Sequence, residues 1–280
     1  MNLCLRVMTA GDIPAGMRLK EMAGWNQTRA DWERFLRASP EGCFVAEREG
    51  RVVGTAATIA YEGRFAWIGM VLVDPAARGR GIGTKLLERA IEYLDGRGIP
   101  SLKLDATPQG KPIYEKLGFT SEYEIERWQL KRSPAPNAGV EAGPRELEET
   151  LALDRDIFGA DRGELLRSIA REAPQFALQT RIHGKLAGYA FGRTGSVADH
   201  LGPWAAQEEG SARFVLDEFL RRSRQERVFV DGMRPNPWAI TLLRARGFEY
   251  ARPLTRMYRG RNDFPGRPEL QCAILGPEFG

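Results

Sequence analysis

Two successive copies of one mixed α/β sandwich are the fold this sequence predicts, and three observations predict it. Strand-like and helix-like segments alternate along both halves of the chain. Turn signals of the first half recur in the second in the same order. Between the halves, residues 133–144 read SPAPNAGVEAGP, with three prolines, two glycines and no aromatic residue. Such a composition buries no apolar area and reads as a linker. With 280 residues in all, each half is long enough to bury its own core. The expected layout is a first domain over 1–132, a linker over 133–144 and a second domain over 145–280.

The echoes are specific. Gly50-Arg-Val-Val-Gly54 reappears as Gly184-Lys-Leu-Ala-Gly188, an offset of 134. In both places a glycine turn precedes a β-prone segment, Thr55 to Ala60 and Tyr189 to Arg193. Lys116-Leu-Gly-Phe119 returns as Ala245-Arg-Gly-Phe248, an offset of 129. Each Gly-Phe closes a short helical pattern, downstream of a strand ending in aspartate (Leu104-Asp105 and Val230-Asp231).

In order, the first half reads as strand 3–8, helices 13–22 and 28–38, and strands 44–47, 52–60 and 65–73. A glycine-rich turn then leads into a helix over 84–95. There Leu87, Ala90, Ile91 and Leu94 recur at i, i+3, i+4 and i+7, one buried stripe, and Gly96 is the expected stop. Strand 102–105, a short helix over 113–117 and strand 125–130 complete the copy. In the second half Ala212, Val215, Leu216 and Phe219 repeat the helical stripe.

Composition removes several function classes. The formal net charge is +4, and neither half concentrates a basic field, so no nucleic-acid or anionic-membrane partner is expected. The longest strongly apolar stretch, Phe65 to Val73, is about half of what a membrane helix requires. No signal peptide develops before Asp12. Cys4, Cys43 and Cys272 are odd in number and scattered, and His183 and His200 are the only histidines. Neither a disulfide framework nor a metal site is expected. The expectation is a reduced, soluble, cytoplasmic protein.

Chemistry is concentrated in Val71-Leu-Val-Asp-Pro-Ala-Ala-Arg-Gly-Arg-Gly-Ile-Gly-Thr84. A buried strand stops at Pro75, arginines and alternating glycines follow, and an amphipathic helix begins at once. Gly79, Gly81 and Gly83 let the backbone approach a ligand closely. The free N–H groups and positive dipole end of the helix form an anion site suited to phosphate, with Arg78 and Arg80 adding charge. A Walker loop does not fit, because Gly79 and Gly83 are too close and Thr84-Lys85 is in the wrong order. The dinucleotide pattern fails at its third glycine.

The stretch resembles the GCN5-related N-acetyltransferase (GNAT) family, whose hallmark is a strand ending V-x-P followed by R-G-x-G-x-G and a helix. Val73-Asp-Pro75 and Arg78-Gly-Arg-Gly-Ile-Gly83 match it. Tyr114-Glu-Lys-Leu-Gly-Phe119 matches a second family motif, a helix tyrosine four residues before Gly-Phe. The resemblance covers about residues 3–132. It implies two tandem GNAT-like domains, each a twisted mixed β-sheet flanked by helices. It also implies acetyl-CoA as co-substrate without a metal, its pyrophosphate on the amides of Arg78, Gly79, Arg80, Gly81, Ile82, Gly83 and Thr84. The pantetheine arm is implied to pair with Val71, Leu72 and Val73, where the strand splays from its neighbour.

The second half resembles a degenerate domain of the same family that shapes the acceptor site or is structural. Its helix follows Glu208-Glu-Gly-Ser211, which has no arginine and two glutamates that repel pyrophosphate, and position 243, opposite Tyr114, is leucine. The expected activity is acetyl transfer from acetyl-CoA to a primary amine, of a small molecule or peptide, by direct attack on the thioester. The competing reading is a non-catalytic acyl-CoA-binding sensor or interaction module. The resemblance casts Tyr114 as the acid for the departing sulfur and a strand amide near Leu72 or Val73 as donor to the carbonyl. Asp105, at the end of its strand, is the candidate base, with Glu21 and Glu62 behind it. The family frequently has an asparagine where Thr107 stands, followed here by Pro108. Trp32, Trp67 and Trp128 are expected in the core, Trp25 beside the acceptor region, and Trp204 and Trp238 about an apolar pocket in the second copy. A monomer or homodimer fits, since an internal duplication can mimic a family dimer.

Overall fold

Each predicted strand and helix of the first half exists, and the turns that join them explain the internal echoes. The structure is a computed structural model that describes residues 3–133, 143 and 146–280; of the expected linker, only 133 and 143 fall among these. Two compact units are present. The first comprises the chain to Ser121 together with Met257–Asn262 and Phe279; the second comprises Glu122–Arg256, Asp263–Glu278 and Gly280. The units therefore do not follow a single cut at 132: the strand expected over 125–130 belongs to the second.

In the first unit the elements are β1 (Leu3–Val7), α1 (Ile13–Met22), α2 (Arg29–Ala38), β2 (Cys43–Arg48), β3 (Arg51–Tyr61), β4 (Phe65–Val73), α3 (Ile82–Gly96), β5 (Ser101–Ala106) and α4 (Lys111–Lys116). The sheet order is β1-β2-β3-β4-β5, followed by the end of β11 (Glu249–Gly260). Strands β1 to β4 are antiparallel neighbours, whereas β4 and β5 run parallel. The α3 helix buries Ile82, Leu86, Leu87, Ala90, Ile91 and Leu94 against β2, β3 and β4. Each of the larger aliphatics contributes about 1.5–3 kcal/mol by leaving water. The helix begins two residues earlier than expected and runs through Gly96. Its stop is Gly98, at φ +69°, with Ile99 donating back to Leu94.

The second unit repeats this order. It contains β6 (Thr120–Lys131, from Glu122), α5 (Glu148–Phe158), α6 (Gly163–Glu172), β7 (Leu178–Ile182), β8 (Lys185–Thr194), β9 (Asp199–Ala206), α7 (Glu209–Arg222), β10 (Arg227–Met233), α8 (Ala239–Ala245), the start of β11 and β12 (Gln271–Ala273). Its sheet order is β11-β6-β10-β12-β9-β8-β7. Ala212, Val215, Leu216 and Phe219 of α7 are wholly buried in a core with Trp204, Val228 and Val230. Both units are mixed α/β sheets flanked by helices.

Duplication is visible in the backbone itself. Glu49-Gly50 and His183-Gly184 are two-residue hairpin turns with both residues at positive φ, joining β2 to β3 and β7 to β8. After α4, the Phe119 amide donates to the Tyr114 carbonyl and Gly118 donates to Glu115; after α8, Phe248 donates to Leu243 and Gly247 to Arg244. These are matching helix-stop motifs. The Gly-Phe echo is thus a repeated helix terminus, and Tyr114 packs edge-on against Phe119 at 6.1 Å within it.

Candidate active site

A parallel strand pair that begins together and then parts is the scaffold of the site. β4 and β5 pair at Ala66↔Leu102 and Trp67↔Lys103, whereas β4 stays on β3 as far as Gly54↔Val73. Beyond Trp67 the outer edge of β4 is released from β5, and no strand lies between them among the described residues. A bulge assists the parting. The β3–β4 register shifts between Thr55 and Ala57, Met70 sits at φ +55°, and Thr55 Oγ1 donates to the Met70 carbonyl at 2.8 Å. Such a bulge re-aims the strand that carries it. Val71 and Val73 are half-buried there, and Leu72 is buried. Nothing in the sequence distinguished Met70 or Thr55 from ordinary strand residues.

The glycine-rich turn follows at the C-terminal end of β4. Asp74 accepts from the Ala76 amide, Arg78 donates from Nε to the Val73 carbonyl at 3.2 Å, and Arg80 forms no ion pair among the described residues. Gly79 and Gly81 lie at φ +75° and +72°, with open space where a Cβ would stand. It is the backbone angle, not crowding, that calls for glycine there. Gly81 is the residue before α3, and no side chain caps the helix. The first-turn amides of a fifteen-residue helix therefore face outward without a side-chain acceptor beside exposed Arg80. That arrangement fits a pyrophosphate.

On the opposite side of the parting, Asp105 is half-buried near the end of β5. Thr107 then opens α4: its Oγ1 accepts from the Gly110 amide at 3.2 Å and its carbonyl accepts from Lys111. Threonine thus closes the turn at the position where the family frequently has asparagine. Tyr114, on α4, leans over Gly110, where an added Cβ would lie 2.8 Å from the ring. Burial pushes its phenol up to about 12, so it is protonated throughout the neutral range. Its hydroxyl has no hydrogen-bond partner among the described residues, yet it is not sealed from solvent. The C-terminal ends of β4 and β5 thereby gather Val71–Val73, the turn 78–84, Asp105 and the helix of Tyr114. Glu62 stands in the turn before β4, paired with Arg64 at 3.5 Å. It is roughly 30 Å from the glycine-rich turn by strand rise. Glu21 is exposed on α1.

The second unit carries the same scaffold with its cleft filled. β9 and β10 pair in parallel from Asp199↔Val228 to Leu201↔Val230 and then separate around a register shift between Ala190 and Gly192. Into this gap comes β12, pairing with β9 at Gln271↔Ala205 and Ala273↔Trp204 and with β10 at Gly232↔Ala273. Helix α7 starts without left-handed glycines: Glu208 is extended, and a Cβ on Gly210 would lie 3.3 Å from the Glu208 carboxylate. Trp204 is core, packed with Leu242 and Leu243, so no open aromatic pocket forms around it; Trp238 is partly buried against the same core. Trp32, Trp67 and Trp128 are buried, as expected.

Comparison with known proteins agrees with this geometry. Residues 17–119 match the acetyltransferase (GNAT) family and residues 150–272 match an acetyltransferase (GNAT) domain family. The chain belongs to the GNAT acetyltransferases, with two such domains in tandem, and is an acyltransferase of the acetyl-CoA-dependent class. It is 26% identical over 260 residues to holothin acyltransferase of Pseudoalteromonas sp. (strain SANK 73390), covering 91% of this chain and 87% of that protein. A mycothiol acetyltransferase of Thermomonospora curvata is 35% identical over 101 residues, which is 35% of this chain and 33% of that one. A Pyrococcus horikoshii crystal structure described as an acetyltransferase superposes with a TM-score of 0.82 at 24% identity, over 99% of this chain and 96% of that one. Among the described residues, no group of three or more His, Cys, Asp or Glu is placed to hold a metal ion.

Proposed function

We propose that the first unit transfers the acetyl group of acetyl-CoA to a primary amine by direct attack on the thioester, and that each chain holds one coenzyme. The observation that carries this reading is the uncapped start of α3, opened by left-handed Gly79 and Gly81 at the end of a strand released from its neighbour. The amides of 78–84 hold the pyrophosphate, and the free edge of Val71–Val73 pairs with the pantetheine amides.

An alkyl amine has an ordinary pKa of about 10.4, so it must lose a proton before it attacks. Asp105, directly or through water, takes that proton. The amine nitrogen bonds to the thioester carbon, a strand amide near Leu72 or Val73 supports the oxyanion, and the carbon–sulfur bond then breaks. Tyr114 donates a hydrogen bond to the departing sulfur. At about 12 its phenol is a weaker acid than a thiol near 8.5, so it steadies the thiolate more than it surrenders its proton.

Gly81→Ala tests the turn. Alanine at φ +72° is strained by about 1–2 kcal/mol, so acetyl-CoA binds roughly tenfold more weakly while the helix remains. Equilibrium binding measures this, and unchanged affinity rules the turn out as the coenzyme site.

A further inference from the structure

The second unit's sheet carries a row of charges that the acetyl-transfer reading does not use. On the face opposite α7 and α8, Tyr123, Ile125 and Arg127 of β6 alternate with the core-facing Trp128 and Leu130. β11 is the neighbouring strand. Tyr123 accepts a 2.8 Å hydrogen bond from Arg256, and Ile125 clusters with Leu254 and Met233. Arg127 and Arg252 lie on the same face further along their strands, near enough for the two guanidiniums to repel. On its other side Arg127 is in register with Asp231 of β10.

The row therefore reads Arg252, Arg127, Asp231 across three strands. Arg127 spends Nε and Nη2 on the two Asp231 oxygens, at 2.8 and 2.7 Å, and Nη1 is left over. Asp231 is wholly buried and also lies 3.1 Å from His200 Nε2. Burial alone would raise its pKa, but Arg127 and His200 hold it far below the usual carboxylate range. Burial lowers the pKa of His200, against the pull of Asp231. Farther along, Arg193 is paired with Glu278 at 2.6 Å. Every charge in this cluster has a partner except Arg252, which is half-buried and forms no ion pair or side-chain hydrogen bond among the described residues. Burial and the Arg127 guanidinium both lower its pKa.

Like charges close together on adjacent strands are destabilising. A half-buried guanidinium with open donors beside a second one is offset when an oxyanion sits between them. We propose that Arg252 and Arg127 form a binding site for a small oxyanion, the carboxylate or phosphate of a soluble metabolite, on the second unit. The planar donor forks of two arginines suit either group, and a lysine would reproduce only the charge.

Calorimetric titration of the full chain with succinate and, separately, with inorganic phosphate at low salt tests the site. Saturable binding of either probe is expected, weakened about tenfold by Arg252→Gln and less by Arg252→Lys. Phosphate taken up at the glycine-rich turn is unaffected by Arg252→Gln, so the difference between wild type and variant isolates this site. Succinate alone would mark the ligand as a carboxylate, phosphate alone as a phosphate ester. Because Arg252→Gln removes a like-charge contact, its Tm is expected to equal or exceed that of the wild type. Absence of saturable binding, binding insensitive to Arg252→Gln, or a lowered Tm in that variant each overturns the proposal.

Discussion

Replacing Tyr114 by phenylalanine lowers acetyl-transfer turnover by about a hundredfold, the usual scale for losing a positioned proton or hydrogen-bond donor. The ring stays, and with it the edge-on contact to Phe119 at 6.1 Å and the packing over Gly110. The hydroxyl has no hydrogen-bond partner among the described residues, so its removal leaves the fold intact. Coenzyme affinity changes by less than about twofold, because the lost interaction forms as the carbon–sulfur bond breaks and not on binding. Steady-state kcat and an independent acetyl-CoA Kd separate the two effects. A raised Kd with unchanged kcat would make Tyr114 a packing residue of the helix terminus. Loss of kcat alone excludes an acyl-CoA sensor, which has no turnover to lose.

The largest stability effect is expected at Asp154. Its carboxylate accepts two hydrogen bonds from Arg162, both at 2.9 Å, and a third from the Tyr189 hydroxyl at 2.6 Å. All three residues are almost fully buried in the second unit. Asp154→Ala takes the carboxylate from Arg162 Nε and Nη2 and from the Tyr189 hydroxyl in the interior, while Arg162 Nη1 keeps its 2.7 Å bond to the Gly280 oxygen, and the loss costs about 3–5 kcal/mol. The exposed pair Arg167–Glu164 is the control, because Glu164→Ala changes stability by less than about 1 kcal/mol. Denaturant unfolding curves measure both. A loss below about 1 kcal/mol at Asp154 would mean that water reaches the pair.

Much of this was legible in the sequence, for physical reasons that differ by element. Helix α3 announced itself because its buried stripe and its flanking glycines are local signals. The duplication was legible because hairpin turns and helix stops demand positive φ and so write glycine at fixed places, 50 and 184, 118 and 247. The left-handed turn before α3 was legible for the same reason at Gly79 and Gly81. What escaped was set by pairing between distant segments. The bulge at Met70 arises from register against Thr55, and neither residue type signals it. The degenerate cleft of the second unit was read from Glu208 and Glu209, but its filling by Gln271–Ala273 depends on a segment about 60 residues downstream. Arg252 and Arg127 lie far apart in the chain and meet only through strand order, so two unremarkable arginines gave no hint of a shared row. That the strand over 125–130 belongs to the second unit, and Met257–Asn262 to the first, escaped for the same reason.

Calorimetric titration of the full chain with acetyl-CoA, with ATP as control, tests the central claim most directly. One site per chain is predicted, of about micromolar affinity or −8 kcal/mol, and indifferent to ATP. Two sites would contradict the reading that β12 fills the second cleft, and no binding would remove the glycine-rich turn at Gly81 from coenzyme recognition altogether.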